Sequence, residues 1–430
     1  MHADHHDHGD DWSALAGSPV RRVLTAVISV VGVAAVIGVI VWWPRGESEV
    51  DRDALEFGER VDATVTEADV GPCTYDPTEE CNAVRFRVIE GEGNGTIGSI
   101  EASRATDTPA ASLEPGDGIV VNDNGADQPA ESRFSFADRQ RDTSLIVLGL
   151  VFAAAVVALG RLRGLLALAG IVVTLAVLVV YVFPALLHGS PPIGVALSGS
   201  AVMAYVVLYL AHGISDRTTV ALIGTLSSLA LTAALAMAFA GSAELSGLAS
   251  DESISLLAFA PELDFRGLLL AAVIIGALGV LDDVTVTQVS AVWELHRSDP
   301  TSTPRQLYQA ASRIGRDHIA STVNTLVLAY SAAALPLLLL YTQAGLGVGE
   351  VLTNETIAVE IVQTLVGSIG LVASVPMTTA LACWVVTRSG SVIRDVARSR
   401  DSRITGRNGW RHRRLRRLPE SEQVVRQAPT

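Results

Sequence analysis

Eight apolar runs dominate this chain, at residues 23–43, 143–160, 164–183, 193–212, 218–240, 267–289, 319–341 and 361–386. A hydrocarbon core about 30 Å thick is crossed by about 20 helical residues rising about 1.5 Å each. No water reaches backbone amides there, so a segment at that depth must close its own hydrogen bonds, and runs of this length do so as helices. The expected fold is an all-α polytopic membrane protein of about eight transmembrane helices. The first run follows Arg21 and Arg22 and ends on Trp42 and Trp43, as suits an uncleaved anchor with its aromatic end at an interface.

Between the first two runs, residues 44–142 hold the one sizeable region that lacks such a stretch. Its pattern alternates with period two at Arg60 to Glu67 and at Ala83 to Glu90, and GEGNGTIGS carries the Asn-Gly signal of a hairpin turn. Leu113 to Val121 reads as a turn followed by a strand. A small β-rich barrel or sandwich inserted after the first helix is therefore predicted. Its four glycines at 91, 93, 95 and 98 resemble a phosphate loop only loosely, because no helix follows them. Cys73 and Cys81 flank GPCTYDPTEEC and would staple a turn as a disulfide if this block lies outside the cell.

Charge decides the expected sidedness. Residues 44–142 hold 9 Arg against 23 acidic residues, while 388–430 hold 12 Arg against 4. With a cytosolic N-terminus, the inner connections carry Arg161 and Arg163, then Arg217, then Arg297, Arg305, Arg313 and Arg316. The outer loops 184–192 and 342–360 carry none and 241–266 only Arg266 at its end, while Arg139 and Arg141, just before the second run, stand on the wrong side. The organisation expected is a His/Asp-rich disordered tail 1–22, an anchor 23–43, an acidic extracytoplasmic domain 44–142, a seven-helix membrane domain 143–387 and an Arg-rich cytosolic tail 388–430. Both termini would be cytosolic.

Chemistry-bearing residues concentrate late in the chain. Fifteen uncharged residues, Gly267 to Leu281, run without a break into Asp282 and Asp283, still at membrane depth or at its edge. A carboxylate there costs about 3 kcal/mol, which makes it a candidate for ion or proton coupling if neighbouring helices or water shelter it. The alternative is that the pair marks the end of the span. Gly276, Gly279, Asp283, Thr287, Ser290 and Glu294 share one helical face, opposite Ile274, Leu278, Leu281 and Val292, a side that Thr285 and Gln288 interrupt. Asp317, Ser321, Asn324 and Ser331 share a face in the next run, and Gln363, Gly367, Gly370, Ser374 and Thr378 in the last. These seams would line a path through Thr287, Ser290, Asn324 and Gln363, with Arg316 and Asp317 as a cytosolic gate pair, or would simply let helices pack closely. Pro336 and Pro376 are expected to kink the seventh and eighth spans.

Other chemistries lack their residues. All 31 basic residues are Arg, so no Walker lysine exists, and neither HExxH nor a nucleophile elbow occurs. No catalytic residue, resident metal or cofactor is expected. MHADHHDHGDD at the start reads as a solvated tail rather than a metal site, Cys383 as a packing residue, and RHRRLRR at 411–417 as a contact for anionic lipid rather than nucleic acid.

GALGVLDDVTVTQVSAVWEL (276–295), RIGRDHIASTVNTLVLAYSAAALPLLL (313–339) and VGSIGLVASVPMTTAL (366–381) together resemble the YibE/F family of bacterial multi-spanning membrane proteins. Gly279, Asp283, Gly315, Arg316, Asp317, Asn324 and Thr325 match its characteristic positions. The resemblance covers about residues 143–387 and implies a polytopic bacterial membrane protein without naming a substrate. The leading expectation is a secondary transporter or channel-like permease for an ion or small solute, embedded in the lipid bilayer. The alternative is a non-transporting scaffold or sensor whose outer domain binds a partner.

Overall fold

The structure, a computed structural model, describes residues 19–46, 58–91, 93–106, 108–125, 128–129 and 133–415, with side-chain surroundings as far as residue 388. The His-rich start lies outside the described residues, and the basic cluster at 411–417 lies beyond the described side chains. The chain divides into two units, one holding residues 49–168 and 258–260 and the other the remainder.

The first unit contains a five-stranded antiparallel sheet of β1 (Glu59–Pro72), β2 (Glu80–Val88), β3 (Ile97–Ser103), β4 (Gly118–Asp123) and β5 (Phe134–Arg139). The order is β3-β2-β1-β4-β5. Strand β1 serves both halves, pairing with β4 through its first residues and β2 through the rest, and a register shift between Val65 and Glu67 bends it between the two. The sheet curls until its edges face each other, with Phe134 of β5 against Gly98 of β3 and across the ring of Phe86 at 5.4 Å. Only glycine fits at position 98, since a Cβ would enter both rings. Two short 3-10 turns, Arg104–Thr106 and Pro109–Ser112, join β3 to β4, and Ala110 and Leu113 enter the core beside Val61, Val84, Ile119 and Val121.

Turn chemistry fixes the register. The β2–β3 turn closes with Gly95 N donating to Val88 O at 2.9 Å, and Gly91 and Gly95 both hold positive φ, as the Asn-Gly signal requires. Cys73 and Cys81 are joined as a disulfide across the β1–β2 hairpin. Asp123 and Arg133 pair through two hydrogen bonds of 2.9 and 3.0 Å, and that guanidinium holds the Asp123 carboxyl below its usual value. Converting Cys73 and Cys81 to Ser should cost the domain about 2.5 kcal/mol, the loop-closure value for so short a ring. Faster protease cleavage within residues 58–103 of the full chain is the expected readout, and unchanged resistance would show that the hairpin holds without its staple.

Helices make up the membrane part: α1 (Pro19–Val41), α2 (Asp142–Val177), α3 (Phe183–Leu187), α4 (Pro192–His212), α5 (Asp216–Ser242), α6 (Asp251–Phe259), α7 (Phe265–Ser298), α8 (Pro304–Ala333), α9 (Leu335–Gln343), α10 (Val348–Thr353) and α11 (Glu355–Leu415). Six helical stretches are long and apolar enough to cross a bilayer, or seven when α8 and α9 count as one bent span. The expected count of eight differs in how residues 143–160 and 164–183 are taken: they fall in one stretch, Asp142–Leu187, made of two helices that meet at a kink, the second with a π-helical turn at Leu178–Val182. At Arg161 that stretch breaks sharply, with φ 51° and ψ −126°. Gly164 there passes against the carbonyl of Val156, an approach a side chain would block. The sequence alone also understated α7 and α11, which run past the bilayer, and its periodicity did not mark β5, α6 or α10. Pro336 does break its helix, with a 59° bend between α8 and α9, whereas Pro376 sits inside α11 without ending it.

Helices α5, α7 and α11 form the centre of this second unit, with α4, α8 and α1 around them. Small residues set their spacing: Gly370 of α11 lies on Thr232 of α5, and Gly224 of α5 lies under Thr378 of α11. Between α7 and α8 a tight turn is held by Asp299, whose carboxylate accepts from Thr301 and Ser302, and by the capping box of Thr303 and Gln306.

His188 ties two connections together. One ring nitrogen lies 2.7 Å from Pro184 O and the other 3.0 Å from Gly46 O. Only the protonated ring donates to both carbonyls, and these bonds raise its pKa. With the folded value above the unfolded one, the stabilisation is fully present below about pH 6.5 and fades as pH rises through the folded pKa. Thermal unfolding of the purified chain should therefore fall in temperature across that window, and the His188→Gln variant should lose that slope.

Candidate functional site

Depth follows from helix register. Helix α5 is 27 residues long, about 40 Å, and its Thr225 lies about 14 Å from the Asp216 end. The hydroxyls of Thr225 and Thr285 share a 2.6 Å hydrogen bond, which sets α7 against that scale. Asp282, three residues before Thr285 and about 26 Å from Phe265 along α7, thus sits roughly 18 Å from the Asp216 end, inside any 30 Å hydrocarbon layer laid across α5.

Asp282 is half-buried, and its Oδ1 is fully enclosed without a hydrogen-bond partner among the described residues. Its neighbour Asp283 points elsewhere, 74% exposed, with Oδ2 3.9 Å from Nε2 of His318 on α8. About 100° of helix rotation separates the two. The face expected to be sheltered is the outer one: Gly279 has open space beside it, Thr287 and Glu294 are exposed, and Thr287 only bonds back to Asp283 O at 2.7 Å. Ser290 is half-buried. The buried face is the opposite one, carrying Ile274, Leu278, Leu281, Thr285, Gln288 and Val292. Thr285 and Gln288 are thus not interruptions, because partners on other helices meet them.

Gln288 is the principal polar joint of the interior. Its Nε2 donates to Ala311 O of α8 at 2.9 Å and to Thr379 Oγ1 of α11 at 2.7 Å, and Thr379 in turn donates to Val375 O at 2.6 Å. Gly315 packs on the same amide. Ser228 of α5 and Ser368 and Thr378 of α11 add further buried hydroxyls that find no acceptor among the described residues.

The predicted path residues do not converge on one enclosed channel. Asn324 is exposed on α8, and so are Arg316 and Asp317, which form no ion pair with each other among the described residues. Gln363 donates to the Tyr330 hydroxyl at 3.0 Å, linking α11 to α8. That amide stands at the floor of a cavity of about 320 Å³ between α6, α7 and α11, lined also by Ser250, Ser253, Thr356 and Glu360. Below it, Gln363 and Tyr330 border a void of about 10 Å³ with Gly276 and Gly367. Asp283 lies two helical turns further along α7 from Gly276. Sequence reasoning missed His318, Glu360 and Gln288; the first two stand one residue before the apolar runs 319–341 and 361–386, where the run boundaries hid them.

The sulfurs of Cys73 and Cys81 approach Glu101 closely enough to resemble a metal site, but the disulfide removes both as thiolate ligands. No curated protein and no solved structure matches this chain. The profile of the family described as YibE/F-like protein matches residues 148–388. That span takes in α4 to α10, the break at Arg161 and the apolar part of α11, with every polar group of the interior just described; the chain is an integral membrane protein belonging to the YibE/F-like family.

Proposed function

We propose that the chain is a secondary transporter or channel-like permease of the plasma membrane, not an enzyme, that moves a cation or proton by way of Asp282. The observation that carries this reading is the enclosed, unpartnered carboxylate oxygen of Asp282 at membrane depth. A structural carboxylate would have a donor; one without a donor has coordination to offer a passing ion. The cavity above Gln363, with Glu360 on its wall, supplies an entrance on the same α7–α11 seam. Asp283 and His318 offer a second proton-exchanging pair beside it.

Sidedness rests on the arginines. The N- and C-termini and the α7–α8 turn are cytosolic, the β domain extracytoplasmic, and the break at Arg161 turns the chain so that residues 142–187 cross twice, giving eight spans in all. Arg161 and Arg163 at that break, the Arg-rich tail and the oxidised Cys73–Cys81 pair all support this arrangement. The 411–417 cluster would then meet anionic lipid head groups. A scaffold or sensor role is favoured by one feature, a disulfide-stapled β domain that folds as part of its own compact unit and would receive a partner outside the cell.

Purified protein in liposomes with an imposed pH or cation gradient provides the test. Flux that collapses in the Asp282→Asn variant supports the proposal. A chain that folds and carries no ion at any gradient sign leaves the sensor reading in possession.

A further inference from the structure

The second half of α8 presents a surface that a lipid-facing helix cannot keep. Among its residues 316–333 none is buried, and Arg316, Asp317, Ser321, Asn324 and Thr325 all face away from the rest of the chain. These positions are not beyond the membrane. His318 lies level with Asp283, and Tyr330 with Gln363 in the apolar part of α11, so the stripe runs through about 20 Å of the layer that holds Asp282. Exposed to acyl chains, Arg316 and Asp317 would each cost up to about 3 kcal/mol, the value at mid-bilayer and less towards its cytosolic edge, and Asp283 on the adjoining face of α7 adds a third charge.

Among the described residues no polar segment lies over that stripe. Residues 144–160 are apolar apart from Ser144 and offer nothing to an arginine, a carboxylate or an amide. The face does, however, complement itself, because it carries both signs of charge at nearly one level. A two-fold axis along the membrane normal brings equal depths together, so a residue of one copy meets its own counterpart and near neighbours.

We infer that α8 is the contact between two copies of this chain, Arg316 of each facing Asp317 and Asp283 of the other and the two Asn324 amides bonding near the axis. Such amide pairs hold membrane helices together while the charges fix the register. The pairing stands on depth and charge alone and does not depend on whether the chain transports anything.

Full-length protein in nanodiscs tests it. In a Cys383→Ser background, Asn324→Cys should give an oxidant-dependent dimer, and Val36→Cys on the exposed apolar side of α1 should give none. Arg316→Asp should weaken association at least roughly tenfold, near 1.4 kcal/mol, and adding Asp317→Arg should restore it. A particle that stays monomeric by mass at every lipid ratio, or a cross-link from position 324 to residues 144–160 of the same chain, overturns the inference. So does modification of Asn324→Cys by a membrane-impermeant thiol reagent as fast as at a solvent-exposed site, since the stripe would then border water.

Discussion

Asp282→Asn is expected to reduce ion flux by roughly a hundredfold while leaving the folded protein as stable as before or more so. The amide keeps the size of the carboxyl and removes its charge, and about 3 kcal/mol of ion–carboxylate interaction corresponds to that factor in rate. Stability should hold because the buried Oδ1 has no partner to lose, and neutralising an unpaired charge inside a membrane relieves its desolvation cost. The two readouts must be taken on one preparation, flux in liposomes and thermal unfolding in detergent. Unchanged flux would remove Asp282 from the mechanism. Lost folding would show that the carboxylate has a structural partner after all. Asp283→Asn makes the informative companion: its exposed side chain approaches His318, so reduced flux would bring that pair into conduction, and weakened association alone would confine it to the α8 contact.

A valine in place of Gly370 should prevent the central helices from assembling. The glycine lies so close to Thr232 that even a Cβ would overlap its hydroxyl. Forcing α5 and α11 apart also separates Gly224 from Thr378, and α7, bonded to α5 through Thr225–Thr285 and to α11 through Gln288–Thr379, cannot follow both. Overpacking alone costs about 1–3 kcal/mol, and two interior hydrogen bonds add about 1 kcal/mol or more, so Gly370→Val should be recovered mostly as aggregate. The combination of Thr232→Ala with Gly370→Ala should fold, because the methyl then occupies the space the hydroxyl leaves. Gly367→Ala, which meets nothing within 4 Å, serves as the control. If Gly370→Val elutes as a normal monodisperse species, the α5–α11 contact does not set the fold.

Different parts of this chain reveal themselves to different degrees in one dimension. The apolar runs announced the spans because the bilayer imposes a length, and the Asn-Gly turn and the period-two stretches announced β1 to β3 because those signals are local. The strand β5, FSFADR, follows a loop with Asn124-Gly125 and Pro129, punctuation that could have marked it, but only its first three residues alternate. The face of α7 was harder. Gly276, Gly279, Asp283 and Thr287 look like a packing seam on spacing alone, yet α5 and α11 meet the other side, where Thr225 and Thr379 wait for Thr285 and Gln288. Which side of an amphipathic helix is inside depends on the neighbours, and two polar residues on an apolar face become an advantage only when those neighbours carry matching groups. The disulfide hairpin lay open to view in the spacing of its cysteines, and Arg161 and Arg163 between two apolar runs marked where the chain breaks, although an arginine at positive φ is a conformation no propensity favours.

Helix α7 continues for 16 residues past Asp282, to Ser298, without a break, and α8 returns beside it from a cap that fixes the turn. Roughly half of that length exceeds what the bilayer needs, so the pair forms a stiff handle whose tip is the Asp299–Thr303 turn. A load applied at that tip has no flexible joint in which to dissipate before it reaches the carboxylate. Whatever grips the handle therefore acts on Asp282 by torque, at a distance of about 25 Å.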